Sequence, residues 1–378
     1  VLFNAEAHMI LGLHHITIVT ADAARNLDFY TRVLGLRLVK KTVNFDDPGS
    51  YHLYYGDALG RPGTAITFFE WPGAPKGARG IGGTHHFALQ VQDYDGLLKW
   101  KRRLTDLGVR VNGPLDRYYF KSLYFTDPDG TIIEIATRGP GWTIDEAPDA
   151  LGSEQRDPPE AMTVANRDRA TIDATTHPAP VPQITPEMAL EHGMHHITAN
   201  GTDIERTHSF FGELLGMRLV KRTANFDDPT SKHWYWGVGD GAPGTIITYF
   251  ENDPLRVQRA RMGAGLTHHF ALAVKDEATQ LEWREKILQA GLGVSPVMDR
   301  VYFKSIYTQD PDGHIVEIAT NGPGFAVDES PEDLGKHLML PPWLERDRAR
   351  IEAGIKPLET PAWHSHLEGT RLEDTVQP

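Results

Sequence analysis

The chain has no cysteine, no apolar run near the roughly 20 residues that cross a bilayer, and fewer basic than acidic residues, 38 Lys plus Arg against 51 Asp plus Glu. Each absence removes a class. Without thiols there is no disulfide framework, thiolate zinc site, cysteine nucleophile or cysteine-ligated iron-sulfur cluster, so any metal must be held by His and carboxylate. A formal net charge of -13, with no cluster of Lys and Arg, disfavours a phosphate backbone as the main partner. Neither a nucleic acid nor a membrane is expected as a partner. The first residues lack the basic start and apolar core of a signal peptide, which makes a cytoplasmic location the default expectation. The opening VLFNAEAHM reads as a tag remnant before a natural start at Met9 and is left out of the fold reasoning. What remains is a chain of 378 residues, 40% hydrophobic and 24% charged. Those are ordinary proportions for a globular protein with more than one core.

Internal repetition organises this length. GLHHITIVTADAARNLDFYTRVLGLRLVKKTVNFDDP, from Gly12 to Pro48, returns from Gly193 to Pro229 at an offset of 181. THHFALQV from Thr84 and DRYYFKSLYFTDPDGTIIEIAT from Asp116 return at Thr267 and Asp299, at an offset of 183. The halves are therefore 12–145 and 193–330. A weaker repeat divides each half, because His-His-Ile-Thr and His-His-Phe-Ala both open an alternating run that leads into an amphipathic segment. In the first unit HHITIVT alternates like a half-buried strand, Asp22 suits a helix cap, and Leu27, Tyr30, Val33 and Leu34 share a helical face that Gly35 ends. LRLVKKTV, YHLYYG and TAITFFE then supply three strands. The predicted fold is α+β, four βαβββ modules in tandem. Residues 146–190, with seven prolines, read as a linker or wrapping segment. In 331–378, EDLGKHLML and WLERDRARIEAGI look helical, and the last twenty residues read as a mobile or docking tail.

The histidines carry the chemistry. Eight of 18 form four pairs, His14-His15, His85-His86, His195-His196 and His268-His269, each at the start of a predicted first strand. Neighbours in a strand point to opposite faces, so at most one of each pair is expected to face a shared cavity. Glu134 and Glu317 interrupt the apolar strands TIIEIAT and HIVEIAT, where a charge demands compensation by a metal or by a buried arginine. Aligning the last strands by their glycine turns puts Thr67 and Thr248 where the other modules carry those acids. A site built from two facing modules then has two histidines and one glutamate with coordination positions left open, the ligand set of non-haem Fe(II) oxygenases. A fourth carboxylate would favour the closed set of glyoxalase I-type lyases. Phe45 with Asp46 and Asp47, and Phe226 with Asp227 and Asp228, read as rim loops. His52, His208, His233, His314, His337, His364 and His366 receive no role.

These combined motifs resemble the vicinal oxygen chelate superfamily. GLHHIT, FYTRVLGLRLVKKTVNFDDP, YHLYYGD and PGTAITFF look like its ring-cleaving dioxygenases of chlorohydroquinone and hydroquinone, the PcpA and LinE type, over 12–145 and 193–325. The resemblance implies two barrel-like domains made by paired modules, and Fe(II) held by His15, His269 and Glu317. It places His14, His268, Thr17, Arg300 and Tyr307 around the metal as catalytic neighbours. In that family the second and third modules usually look degenerate. Here they keep His85, His86, Arg117, Tyr124, Glu134, His195, His196 and Thr198, which implies a second set with His86, His196 and Glu134 as ligands.

Two pairings remain open on the sequence. Modules one with four and two with three give His15, His269, Glu317 and His86, His196, Glu134. Pairing within halves gives His15, His86, Glu134 and His196, His269, Glu317. The expected activity is Fe(II)-dependent extradiol-type cleavage of a hydroquinone or catechol, with up to two metal ions per chain and Mn(II) or another divalent metal as second choice. The partners are a small aromatic substrate and O2, and a homo-oligomer is compatible with the sequence. His268 or His195 would exchange a proton, while Arg300 with Tyr307, or Arg117 with Tyr124, would hydrogen-bond to developing oxygen charge; alternatively the arginines only orient the glutamates. A glyoxalase-like lyase or isomerase, and a non-catalytic aromatic-ligand binding protein, are the competing readings.

Overall fold

The computed structural model describes residues 9–367, so of the expected leader only Met9 falls within it, and the tail is described as far as Leu367. Four modules follow one another. The first comprises β1 (Gly12–Thr20), α1 (Ala23–Asp28), β2 (Arg37–Asn44), β3 (Asp47–Gly56) and β4 (Ala65–Glu70). The second comprises β5 (Thr84–Val91), α2 (Tyr94–Asp106), β6 (Asn112–Asp116), β7 (Lys121–Thr126) and β8 (Ile132–Thr137). After an excursion that contains α3 (Arg169–Ala174), the third has β9 (Met194–Gly201), α4 (Ile204–His208), β10 (Arg218–Asn225), β11 (Asp228–Gly237) and β12 (Ile246–Glu251). The fourth has β13 (Thr267–Val274), α5 (Glu277–Gln289), β14 (Met298–Asp299), β15 (Lys304–Gln309) and β16 (Ile315–Thr320), followed by α6 (Arg348–Gly354). Among the described residues no helix is long and apolar enough to cross a membrane.

Two eight-stranded sheets result, one assembled from the outer two modules and the other from the inner two. One runs β14-β15-β16-β13-β1-β4-β3-β2, the other β10-β11-β12-β9-β5-β8-β7-β6. Modules one and four therefore share a sheet through the antiparallel pair β1 and β13, and modules two and three through β5 and β9. Apolar alternation explains the layering. Ile16, Ile18, Leu53, Phe68, Phe270 and Ile318 are fully or nearly fully buried on the faces covered by the helices, and join one core with Trp100 of α2 and Trp283 of α5. The opposite, concave faces carry the polar residues Thr17, Thr67 and Glu317, buried with no exposure.

The predicted caps form as read. The Asp22 carboxylate accepts from the backbone N–H of Ala24 and Arg25, and Gly35 leaves the helix at φ +76, a conformation glycine adopts without a side-chain clash. The last turn of that helix is a π turn over Phe29–Val33, and Ser209–Leu214 repeats it in module three.

The segments after modules two and four wrap over β10 and β2, which would otherwise be bare sheet edges. Glu332–Leu340, expected to be helical, is instead a run of turns in which Leu338 bridges to Lys41 of β2 and the Met339 N–H donates to the Lys41 carbonyl at 2.9 Å. The unpaired edge of β2 takes extended chain. A helix would leave those backbone groups unmet. Farther on, the Trp363 indole donates to the Gly35 carbonyl at 3.0 Å; residues 368–378 of the expected tail lie outside the described residues.

Candidate metal centres

The four histidine pairs sit on β1, β5, β9 and β13, and strand alternation does not separate them as expected. In each pair the first histidine is the extra residue of a β-bulge. Leu13 pairs with Leu272 and His15 with Ala271, which skips His14; Thr17 pairs with His269 and Ile18 with Thr267, which skips His268. His85 and His195 are skipped likewise between β5 and β9. A bulge places two residues opposite one and re-aims the side chains. The two imidazoles of every pair therefore touch, Nδ1 to Nδ1, at 2.8 to 2.9 Å. Both members of His85-His86 and of His268-His269 line a cavity, which corrects the expectation of one per pair. His14 and His195 do not; they are buried with their rings 4.9 Å from Phe303 and Phe120.

The sheet order decides between the two pairings. His15, His269 and Glu317 meet in one sheet, His86, His196 and Glu134 in the other. In the first, Glu317 Oε2 lies 3.0 Å from His269 Nε2 and 3.4 Å from His15 Nε2, and the two Nε2 atoms are 3.3 Å apart. In the second, Glu134 Oε2 lies 2.8 Å from His86 Nε2 and 3.4 Å from His196 Nε2, again with 3.3 Å between the nitrogens. The other carboxylate oxygen of each glutamate accepts from a serine hydroxyl, Ser305 or Ser122.

A tautomer argument tests whether a cation fits. If His15 Nδ1–H donates to His14 Nδ1, then His14 Nε2–H is free to donate to the Thr320 carbonyl at 3.2 Å, and His15 Nε2 presents a lone pair. His269 does the same through His268. Two lone pairs and the otherwise unbonded Oε2 of Glu317 then converge in a buried space with no donor among them, an arrangement a divalent cation satisfies and an apolar void does not. Burial alone would raise the Glu317 and Glu134 carboxyls. The imidazoles beside them, His15 foremost for Glu317 and His196 foremost for Glu134, hold them well below the usual carboxylate range. Burial, then the adjacent imidazole, pushes His14, His85 and His195 down to about 3 and His268 to about 4.

Around the first centre is a cavity of about 210 Å³ walled by Phe45, Phe69, Trp71 and Phe303; that around the second is about 230 Å³. Arg300 Nε donates to the Tyr307 hydroxyl at 3.2 Å and its Nη1 meets Asp46 at 3.2 Å. Arg117 does the same with Tyr124 at 3.2 Å and with Asp227 at 2.7 Å. The arginines thus bond tyrosines and rim aspartates, and each glutamate bonds serine and histidine. Burial holds both tyrosines well above the usual phenol range, so they remain protonated donors. Thr17 and Thr198 lie behind the cavities, bonded to Thr67 and Thr248.

Two residues left without a role belong here. His52 Nε2 lies 2.9 Å from Thr67 Oγ1, with its Nδ1 3.0 Å from the Tyr54 hydroxyl. His233 repeats this with Thr248 at 2.6 Å and Tyr235 at 2.9 Å. All four line the cavities. The signal was in the sequence: YHLYYG and KHWYWG carry His and Tyr at the same offset of 181.

Comparisons with known proteins agree with this architecture. The family model of the glyoxalase/bleomycin resistance protein/dioxygenase superfamily matches residues 12–135 and 193–318. A candidate ring-cleaving dioxygenase of Bacillus subtilis, MhqO, is 34% identical over 93% of this chain and 98% of its own. The chlorohydroquinone/hydroquinone 1,2-dioxygenase of Sphingobium indicum is 30% identical over 88% of this chain and 92% of its own. A crystal structure of a candidate dioxygenase from B. subtilis superposes with a TM-score of 0.73 at 34% identity, over 93% of this chain and 99% of that one.

Proposed function

Because the chain belongs to the glyoxalase/bleomycin resistance protein/dioxygenase superfamily, we propose that it is a non-haem Fe(II)-dependent, extradiol-type ring-cleaving dioxygenase of a hydroquinone or catechol, with two metal centres per chain. The observation that carries this reading is the donor set: two imidazole nitrogens and one carboxylate oxygen at each centre, with Thr67 or Thr248 where a fourth acid would close it. Three ligands leave positions for both a ring hydroxyl and O2. His15, His269 and Glu317 hold one ion, His86, His196 and Glu134 the other; Mn(II) is the second choice of metal. The names of the relatives above support the ring-cleaving chemistry.

The bound ion supplies the electron transfer that lets a singlet aromatic ring react with triplet O2. The chain supplies the rest. His268 and His85 line the cavities and are held neutral; with Nδ1 accepting from the neighbouring imidazole, each presents an Nε2–H that can be given to an oxygen in the cavity and taken back. Tyr307 and Arg300, or Tyr124 and Arg117, donate hydrogen bonds to oxygen as negative charge develops on it. Phe303 and Phe120 form aromatic walls that hold a flat ring and exclude water. His14, His195, Thr17 and Thr198 act as positioning residues behind this layer. Arg300 and Arg117 tie to the rim loops through Asp46 and Asp227.

The test is anaerobic reconstitution with Fe(II), then O2 uptake with hydroquinones and catechols. Uptake that tracks ring opening is expected. Iron-loaded protein that consumes no O2 overturns the reading; turnover without O2 would assign a lyase or isomerase, and ring binding without turnover a sequestration protein.

A further inference from the structure

The two centres look alike at the triad and differ one layer out. The first cavity shares His268, Arg300 and Tyr307 with an adjoining open space of about 630 Å³, three times its own volume. That vestibule is walled by residues 292–295, the chain between α5 and β14, and by the end of β15. Leu292, Val294 and Ile315 give it an apolar wall beside the uncharged Ser295, Thr308 and Gln309, and Arg300 and Asp310 are its charged side chains. The Asp310 carboxylate is itself bonded to Tyr249 and His314.

Module two aligns with module four at an offset of 183 without a gap from α2 to β7, so the same place can be read residue by residue. Arg110 stands where Gly293 is, Asn112 where Ser295 is, and Phe125 where Thr308 is. These three are larger in module two, whereas Val109 and Thr126 there are smaller than Leu292 and Gln309. The excursion then covers it: α3 packs on β6, Arg169 donates to the Asn112 amide oxygen at 2.7 Å, and Arg167 binds Asp227 at the rim at 2.6 Å. Lys101 fixes α3 by donating to the carbonyls of Ile172, Asp173 and Thr175. The tail after module four goes elsewhere, with α6 against β3. Trp71 adds a further difference, since it walls His268 at 6.2 Å between ring centroids, whereas Asn252 at the matching position bonds Asn200 and the Phe250 carbonyl.

We propose that the two centres divide the substrates between them: the His15-His269-Glu317 centre accepts rings that carry an apolar aryl or alkyl substituent, lodged in the vestibule, and the His86-His196-Glu134 centre accepts small rings only. This rests on the ring-cleaving reading and names the substrate class at each site. The cover that α3 and the Arg169–Asn112 contact place over module two rejects a bulky group by steric exclusion.

Single-site proteins separate the two. Glu134→Gln leaves the first centre and Glu317→Gln the second. Each is loaded with Fe(II) under argon and titrated with catechol and with phenyl-substituted catechol, following heat by calorimetry, then assayed for O2 uptake. The Glu134→Gln protein is expected to bind both rings; the Glu317→Gln protein should bind the phenyl-substituted ring at least roughly tenfold more weakly than catechol. A third variant, Gly293→Trp, fills the vestibule at a residue where an added Cβ meets nothing within 4 Å. In the Glu134→Gln background it should weaken only the phenyl-substituted ring. Equal binding of both rings by both single-site proteins, or no effect of Gly293→Trp, overturns this inference alone. Binding of neither ring by any of them would overturn the functional reading and this inference with it.

Discussion

The imidazole Nε2 of His52 lies 2.9 Å from the hydroxyl of Thr67, the residue that stands where modules two and four carry Glu134 and Glu317. From there a chain of contacts runs outward to the Tyr54 hydroxyl and inward to Thr17 Oγ1 at 2.8 Å. His233, Thr248, Tyr235 and Thr198 repeat it. The place of a fourth ligand is therefore a neutral hydrogen-bonded chain, because burial holds both histidines well below their usual range.

Breaking that chain has a cost that can be measured. His52→Phe leaves the buried Tyr54 hydroxyl without its acceptor, and should destabilise the protein by about 1–3 kcal/mol in urea unfolding. His52→Gln, which keeps a polar partner, should lose less. Equal stability of the Phe variant and the parent would show that the contact contributes nothing.

Metal content gives a second check. Anaerobic loading with Fe(II) should give two ions per chain, one in Glu317→Gln or Glu134→Gln, and none in the double variant. Chelation should lower Tm, since a ligand present at a hundred times its Kd stabilises by about 2.7 kcal/mol per site. No more than one iron in the fully loaded parent would sink the two-centre reading.

The four modules were legible because the offsets of 181 and 183 align whole strands, and the six side chains that cluster in two groups because histidine pairs recur at one structural position. Three features were not. Module pairing depends on which sheet edges meet, and both pairings use the same six residues. The shared orientation of His85 with His86, and of His268 with His269, comes from bulges, which period-two reasoning cannot anticipate. Glu332–Leu340 has a helix-like pattern that loses to the exposed edge of β2. His52 was missed for a different reason: it was weighed singly, although its repeat mate His233 sits at the same offset.

Each wrapping segment is anchored by a lysine with no exposure. Lys40 Nζ meets Asp328 at 2.5 Å and Glu329 at 2.6 Å, and Lys221 meets Asp145 at 2.7 Å and also Glu146. Removing the cation strands a buried carboxylate, since Glu329 is 3% exposed at its side chain. Lys40→Met is expected to cost about 3–5 kcal/mol, and combining it with Glu329→Gln should recover part of that in a double-mutant cycle. Additive losses would mean that the pair does not couple the segment to β2.

A pH-dependent difference separates Asp127 from its repeat mate Asp310. Both are buried and accept from a tyrosine hydroxyl, Tyr30 or Tyr249. Asp310 also faces the His314 imidazole at 2.9 Å, whose charge holds it below the usual carboxylate range despite burial. Asp127 has Thr131 in that place, and burial pushes it up from 3.8 to about 6. A folded-state value above the unfolded one means that the folded form binds the proton more tightly. Its contribution to stability is complete below pH 3.8, declines as pH rises, and is gone above about pH 6. Asp127→Asn keeps an amide oxygen for the Asp129 and Thr131 N–H groups and removes the charge. At pH 7 it should be more stable than the parent by about 1–3 kcal/mol, and the gap should close as pH falls from 6 to 4. Asp310→Asn should instead destabilise at pH 7, because it removes the carboxylate that the buried His314 imidazole faces at 2.9 Å. Thermal unfolding of the three proteins across that range decides the matter: a gap between Asp127→Asn and the parent that does not vary with pH would show that Asp127 is ionised throughout.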